Sequence, residues 1–280
     1  MELKLFKTLW GYTDTIEAAA NAARQDGFDG LEGPPPDTSA SQQQWKRLLD
    51  DTGLSYIAEI TTAGSYVPDR QATLGQHLDS LRYKLDDSLS LDPVFITCLG
   101  GCDAWPEGQN IEFFQRVMEL TGAADIRISF ETHRGRALFN PWITRRITDQ
   151  LPDLLLTCDF SHWCVVCERL MDTELDIIER IAPRVQHIHA RIGYEQGPQV
   201  SDPAAPEYQY ALRAHQGWWE RIWRAQKDSG RTVTTMTPEF GPDGYLHELP
   251  YSREPVADLE QLNGWMAMEE RRHFATFLQR

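Results

Sequence analysis

A chain of 280 residues is long enough for one α/β barrel of about 250 residues or for two average domains. Its 41% hydrophobic and 10% aromatic residues supply a full core, which excludes wholesale disorder. Forty-two Asp and Glu against 27 Lys and Arg leave a net charge of −15, a field that repels phosphate backbones and anionic membrane surfaces, so neither nucleic acid nor a membrane is expected as a partner.

Short β-type runs alternate with helical patterns along the whole chain. The runs are Leu3 to Trp10, Phe28 to Glu32, Leu54 to Ile60, Pro93 to Cys98, Ile126 to Glu131, Leu154 to Asp159, Val185 to Ala190 and Thr232 to Glu239. Helical stretches between them include Asp14 to Gln25, Gln42 to Asp51, Gln71 to Leu89, Ile111 to Thr121, Thr173 to Ile181 and Tyr208 to Lys227, and Pro255 to Phe277 follows the last run. The runs are almost continuously apolar, as strands covered on both faces should be. Eight such units predict a closed (β/α)8 barrel occupying residues 1–280 as one domain. An open doubly wound sheet would ordinarily carry a glycine-rich first turn, and Trp10-Gly11-Tyr12-Thr13-Asp14 is not one. Two long connections, Arg191 to Pro206 and Phe240 to Glu254, follow strands and so are expected at the catalytic mouth.

The polar residues fall at equivalent points of this repeat. At or one residue before the ends of successive runs after the first stand Glu32, Glu59, Cys98, Glu131, Asp159, His189 and Glu239. Strand C-termini converge at one mouth, and several carboxylates buried together are costly without a cation. Glu131, Asp159, His189 and Glu239, from four successive runs, are therefore the expected ligands of a divalent metal. Three oxygen ligands and one imidazole suit Mn²⁺ best, with Mg²⁺, Co²⁺, Fe²⁺ or Zn²⁺ as alternatives. His133 and Arg134 follow Glu131 in FETHRGR, His162 follows Asp159 by three residues, and His187 and Arg191 flank His189 by two on either side. These, with Trp10 and Trp163, are the expected substrate contacts, because imidazole and guanidinium groups hold sugar oxygens and aromatic faces cover sugar C–H faces.

Glu at one strand end, Asp-x-x-His at the next, His-x-His at the next and Glu at the last resembles the xylose isomerase-like TIM-barrel superfamily of sugar phosphate isomerases and epimerases. Ketose 3-epimerases, hydroxypyruvate isomerase, inosose dehydratase and endonuclease IV share that pattern. The resemblance spans nearly the whole chain. It implies metal ligation by Glu131, Asp159, His189 and Glu239, paired acid/base roles for Glu131 and Glu239, and substrate binding by His162. The epimerases carry an arginine six residues after the ligand histidine, where this chain has Glu195. Endonuclease IV needs histidines on earlier strands, where this chain has Glu59 and Cys98.

The expected function is thus a metal-dependent isomerase or epimerase of a sugar or keto-sugar. One glutamate removes the proton α to a carbonyl and the other returns it to the enediolate. Elimination on a keto-sugar or keto-glycoside is the alternative, with His133 or His162 protonating the leaving oxygen. A non-catalytic barrel is a third reading, less favoured because all four ligands are present. The N-terminal MELKLFKTLW lacks a secretory pattern, and Cys98, Cys102, Cys158, Cys164 and Cys167 read as reduced thiols. A cytoplasmic protein is the expectation, and the resemblance adds that barrels of this family commonly pair as homo-oligomers.

Overall fold

The computed structural model of the protein describes residues 1–242 and 244–280. Eight parallel strands close into a barrel in sequence order: β1 (Glu2–Thr8), β2 (Gly30–Gly33), β3 (Ser55–Thr61), β4 (Ile96–Leu99), β5 (Ile128–Glu131), β6 (Leu156–Cys158), β7 (Val185–His189) and β8 (Val233–Thr237). Pairing of β1 with β8 through Leu3↔Thr234 and Leu5↔Met236 makes the closure. The chain is the (β/α)8 barrel that its repeat predicts.

The helices are α1 (Ile16–Gln25), α2 (Ser39–Thr52), α3 (Leu74–Leu89), α4 (Glu107–Ala123), α5 (Pro141–Gln150), α6 (Phe160–Cys167), α7 (Leu175–Ile181), α8 (Gln209–Asp228) and α9 (Leu259–Leu278). Local chemistry sets their ends. Thr73 and Gln76 form a reciprocal capping box on α3, and Gly53, at φ 69°, closes α2. Two helices escape a reading by apolar period. In α5 only Pro141, Thr144, Ile147 and Thr148 are buried, so its inner face is half hydroxyl. In α6 the first five residues are all buried, so there is no polar face to give a period. No helix among the described residues is long and apolar enough to cross a membrane. All five thiols are free.

Alternation along the strands sorts the interior into two zones. Leu3, Leu5, Leu31, Ile96 and Leu156 belong to the large apolar layer between sheet and helices. Phe6, Ile57 and Phe95 form a separate small apolar plug. Above it the barrel is polar. Thr157 Oγ1 lies 2.6 Å from the Thr97 hydroxyl and 2.7 Å from that of Ser129. This hydroxyl layer leads towards the charged mouth, so the lumen changes from apolar to ionisable within a few residues of each strand.

His215 on α8 ties the β7 loop to the helix layer. Its Nδ1 donates to the Ala211 carbonyl at 2.9 Å, so Nε2 is the acceptor, at 3.3 Å, for the Gly193 amide. Burial pushes its pKa down to about 4. The unfolded chain therefore takes up a proton below about pH 6.5 that the folded protein refuses until about pH 4. Stability from this group is full above pH 6.5 and falls with acidification, by about 3 kcal/mol over that window. Urea unfolding of wild type and His215→Gln between pH 7 and pH 4 checks this. The wild-type curve should be steeper by about that amount, and parallel curves would refute it.

Candidate metal centre and cavity

Glu131 ends β5, His189 ends β7, Asp159 follows β6 directly and Glu239 lies two residues beyond β8. One ligand atom from each of these four buried residues lies within 4.8 Å of every other. Asp159 also caps α6, and that bond orients it. Its Oδ1 accepts from the Ser161 amide at 2.9 Å, leaving Oδ2 for the cluster.

The orientation of His189 is decided from behind. Its Nε2 donates to Glu32 Oε1 at 3.0 Å. Its Nδ1 then faces Glu239 Oε2 at 3.2 Å and Glu131 Oε1 at 3.5 Å, buried and without an aligned hydrogen-bond partner. Glu32 is itself held by His187 Nε2 at 3.0 Å and by the Thr237 hydroxyl. Burial alone would raise the Glu32 pKa, but the imidazoles of His187 and His189 outweigh it and hold the carboxyl below its ordinary range.

The opposite happens on the cavity side. Burial raises the carboxyls of Glu131, to about 7, and of Asp159 and Glu59, with like charge from Glu239 adding to each. Burial works against a proton on His189, but Glu239, Glu32 and Glu131 raise its pKa well above the usual imidazole value. Arg191 crosses this cluster, bonding Asp159 Oδ2 and approaching Glu239 Oε2 at 3.6 Å. Carboxyls whose pKa values burial and like charge raise, around an imidazole nitrogen without an aligned partner, are a donor set short of positive charge. A divalent cation held by Glu131, Asp159, His189 and Glu239 fits it, with Glu32 as the outer partner that fixes the His189 tautomer.

A cavity of about 370 Å³ opens over the cluster. Of the four candidate ligands Glu131 and Glu239 line it, and Asp159 and His189 do not. His133, Arg191 and Trp10 also line it. His133 Nδ1 donates to the Arg134 carbonyl at 2.5 Å, and burial with nearby Arg191 holds the ring neutral, so Nε2 is an acceptor. Trp10 stands in the turn after β1, not at the strand end, edge-on to Tyr245 at 4.7 Å. Its indole lies against Gly241, where a Cβ would meet it at 2.1 Å, so a side chain at 241 would evict the ring.

Four of the expected substrate contacts do not reach this cavity. His187 points into the lumen as its spacing predicts, but two residues, about 6.6 Å, deeper than His189. There it packs on Phe6 and Phe95, with Nδ1 2.8 Å from the Thr235 hydroxyl. His162 sits behind Arg191 and accepts from its guanidinium at 2.8 Å, which leaves the imidazole proton on Nδ1. Trp163, next on the α6 spiral, turns into the core and donates to the Leu138 carbonyl at 3.0 Å. The Arg134 guanidinium stacks on Tyr245 at 4.8 Å.

Residues without an assigned role in the sequence reading complete the site. Glu32 had a visible signal, since it ends a run just as the ligands do. Tyr245 gave only an aromatic in a long loop, yet Arg191 stacks on it at 4.6 Å. Arg136, fully buried, donates to the Thr62 carbonyl at 2.6 Å, the Tyr66 carbonyl at 3.1 Å and the Ser65 carbonyl, fastening the loop after β3 as a cavity wall.

No protein-family model matches the sequence, and no curated protein is significantly similar to it. Solved structures do match the fold. Endonuclease IV from Thermus thermophilus superposes with a TM-score of 0.61 at 13% identity, covering 99% of this chain and 100% of that one. A D-psicose 3-epimerase gives 0.64 at 13%, covering 97% and 98%. A xylose isomerase domain protein from Alicyclobacillus acidocaldarius gives 0.63 at 13%, covering 98% and 99%. The chain shares their closed (β/α)8 barrel fold. Identities this low establish the barrel alone, and chemistry has to be argued from the site.

Loading this site should release protons, because Glu131 and His189 must lose theirs to bind a cation. Titration calorimetry with Mn²⁺ at pH 6.5 in buffers of different ionisation enthalpy should show uptake of protons by the buffer, with affinity rising with pH. Glu32→Gln should weaken Mn²⁺ binding about 10- to 100-fold without unfolding the barrel. Unchanged affinity in that variant would remove Glu32 from the site.

Proposed function

We propose that the protein is a divalent-metal-dependent isomerase or epimerase of a keto-sugar, acting by proton transfer at the carbon α to the carbonyl. The observation that carries this reading is that Glu131 and Glu239 are the only two cluster ligands lining the cavity. They alone can meet a substrate carbon while being oriented by the centre. A divalent cation supplies Lewis acidity to the carbonyl oxygen and its neighbouring hydroxyl when bound.

Glu239 takes the α-proton on its carboxylate. Glu131 returning one to the opposite face of the same carbon inverts that carbon, whereas return to the former carbonyl carbon, with the neighbouring hydroxyl proton passing to the former carbonyl oxygen, moves the carbonyl. Arg191, already braced by Asp159 and His162, presents its guanidinium to an oxygen that gains negative charge. His133 Nε2 accepts from a substrate hydroxyl. Trp10 and Tyr245 cover the site and exclude water.

The state of His133 favours proton shuttling over elimination. Its one proton is committed to the Arg134 carbonyl and its ring is held neutral, so it has none to give a leaving oxygen. His162 is likewise an acceptor from Arg191 and does not reach the cavity.

Glu239→Gln should keep the barrel folded and lower solvent exchange of the α-proton by about 10²- to 10⁴-fold. Proton NMR of a keto-sugar panel in D₂O with Mn²⁺-loaded protein measures this. Wild-type exchange rates in the variant would overturn the assignment, and an unsaturated product would establish elimination instead.

A further inference from the structure

The proposed proton transfer uses one end of the cavity and leaves the other without a role. That other end is walled by Pro34, Pro35 and Asp37 after β2, and by Tyr83, Lys84 and Asp87 on α3. Glu59 and Thr61 of β3 line the cavity between the two ends. We propose that this arm is a second sugar subsite, so that the substrate is a neutral glycoside of the keto-sugar and not a free or phosphorylated monosaccharide. The proposal rests on the keto-sugar reading for the nature of the first ring.

Lys84 is the centre of the arm. Its ammonium, half-buried, donates to the Thr61 hydroxyl at 2.7 Å. Among the described residues no carboxylate lies within salt-bridge distance of it, although Asp37 and Glu59 stand near enough to influence it. An ammonium has three N–H donors, so two remain for ligand oxygens. Asp87 accepts from the Gln42 amide at 2.9 Å, and the same amide donates to the Pro36 carbonyl at 3.0 Å. Gln42 thereby joins the two walls of the arm. The Glu59 carboxyl makes no hydrogen bond to another described residue, although it borders the cavity.

The charge balance selects the occupant. Asp37 and Asp87 face one Lys84 in the same lining, and Glu59, whose neutral form burial favours, adds no cation to offset them. That excess of acceptors repels a phosphate or a carboxylate. Hydroxyl groups suit it, because each donates to a carboxylate and accepts from the ammonium. Pro34, Pro35 and Tyr83 add apolar walls of the kind that cover the C–H face of a sugar ring. An acyclic phosphate ester, by contrast, would meet neither the walls nor the charge.

The test is binding to the Mn²⁺-loaded protein, read by titration calorimetry. The probes are glucose, glucose 6-phosphate and a panel of glucose disaccharides differing in linkage. At least one disaccharide should bind about tenfold tighter than glucose, and glucose 6-phosphate no tighter than glucose. Lys84→Met and Asp87→Asn should each reduce the disaccharide-to-glucose preference by about fivefold to tenfold. No disaccharide preference, a preference unchanged in both variants, or tighter binding of the phosphate ester would each overturn the subsite. Proton exchange on free keto-sugars separates the two ideas. Exchange without disaccharide preference sinks the subsite alone. A Lys84-dependent preference without exchange on any keto-sugar or keto-glycoside sinks the proton-transfer chemistry and leaves the subsite standing.

Discussion

Everything at the mouth of this barrel depends on where Glu32 can put its negative charge. Its two oxygens each hold one imidazole, His187 and His189, and the Thr237 hydroxyl completes the set. An imidazole has only two nitrogens. Once Nε2 of His189 is taken by Glu32, Nδ1 has to face Glu131 and Glu239. The direction of the ligand lone pair is thus set one residue away from the centre, from the opposite side of the barrel.

The same constraint explains the polar lumen. A small barrel is commonly packed with branched apolar side chains. Among the described residues Phe6, Ile57 and Phe95 make such a plug, and His187 rests on two of those rings. The hydroxyls of Thr97, Ser129, Thr157, Thr235 and Thr237 then give buried polar atoms partners within the barrel. Burying several carboxyls is costly in this setting; Arg191 pairs with Asp159 and approaches Glu239, and a cation would offset the rest.

Arg191 links the centre to the cavity. One face of its guanidinium lies against Tyr245 and Trp10, while its nitrogens reach Asp159, His162 and Ser161. It is therefore both a counter-charge and a rigid donor at the edge of the substrate space. The walls of that space come from unlike places. The β8 loop brings Tyr245, whereas the opposite wall is built by the short loops after β1 and β2, by the β3 loop held on Arg136, and by α3. Loop length alone would have put the binding surface on the β7 and β8 side only.

Sequence by itself determined the barrel and the grouping of four candidate ligands, because both are written in a repeat: apolar runs of strand length, most with an ionisable residue at or beside the end. Closure carries equivalent strand ends to one mouth, so position in the repeat is enough to place Glu131, Asp159, His189 and Glu239 together. Only the tertiary structure decided which polar residues face the cavity. His187 and His189 share a strand face, yet two residues of depth make one a support and the other a ligand candidate. His162 and Trp163 are neighbours in sequence, yet one helical step sends one to Arg191 and the other to the core. Lys84, Asp87 and Arg136 carry no periodic signal at all, since their partners lie on other elements and their roles exist only once the strands have closed.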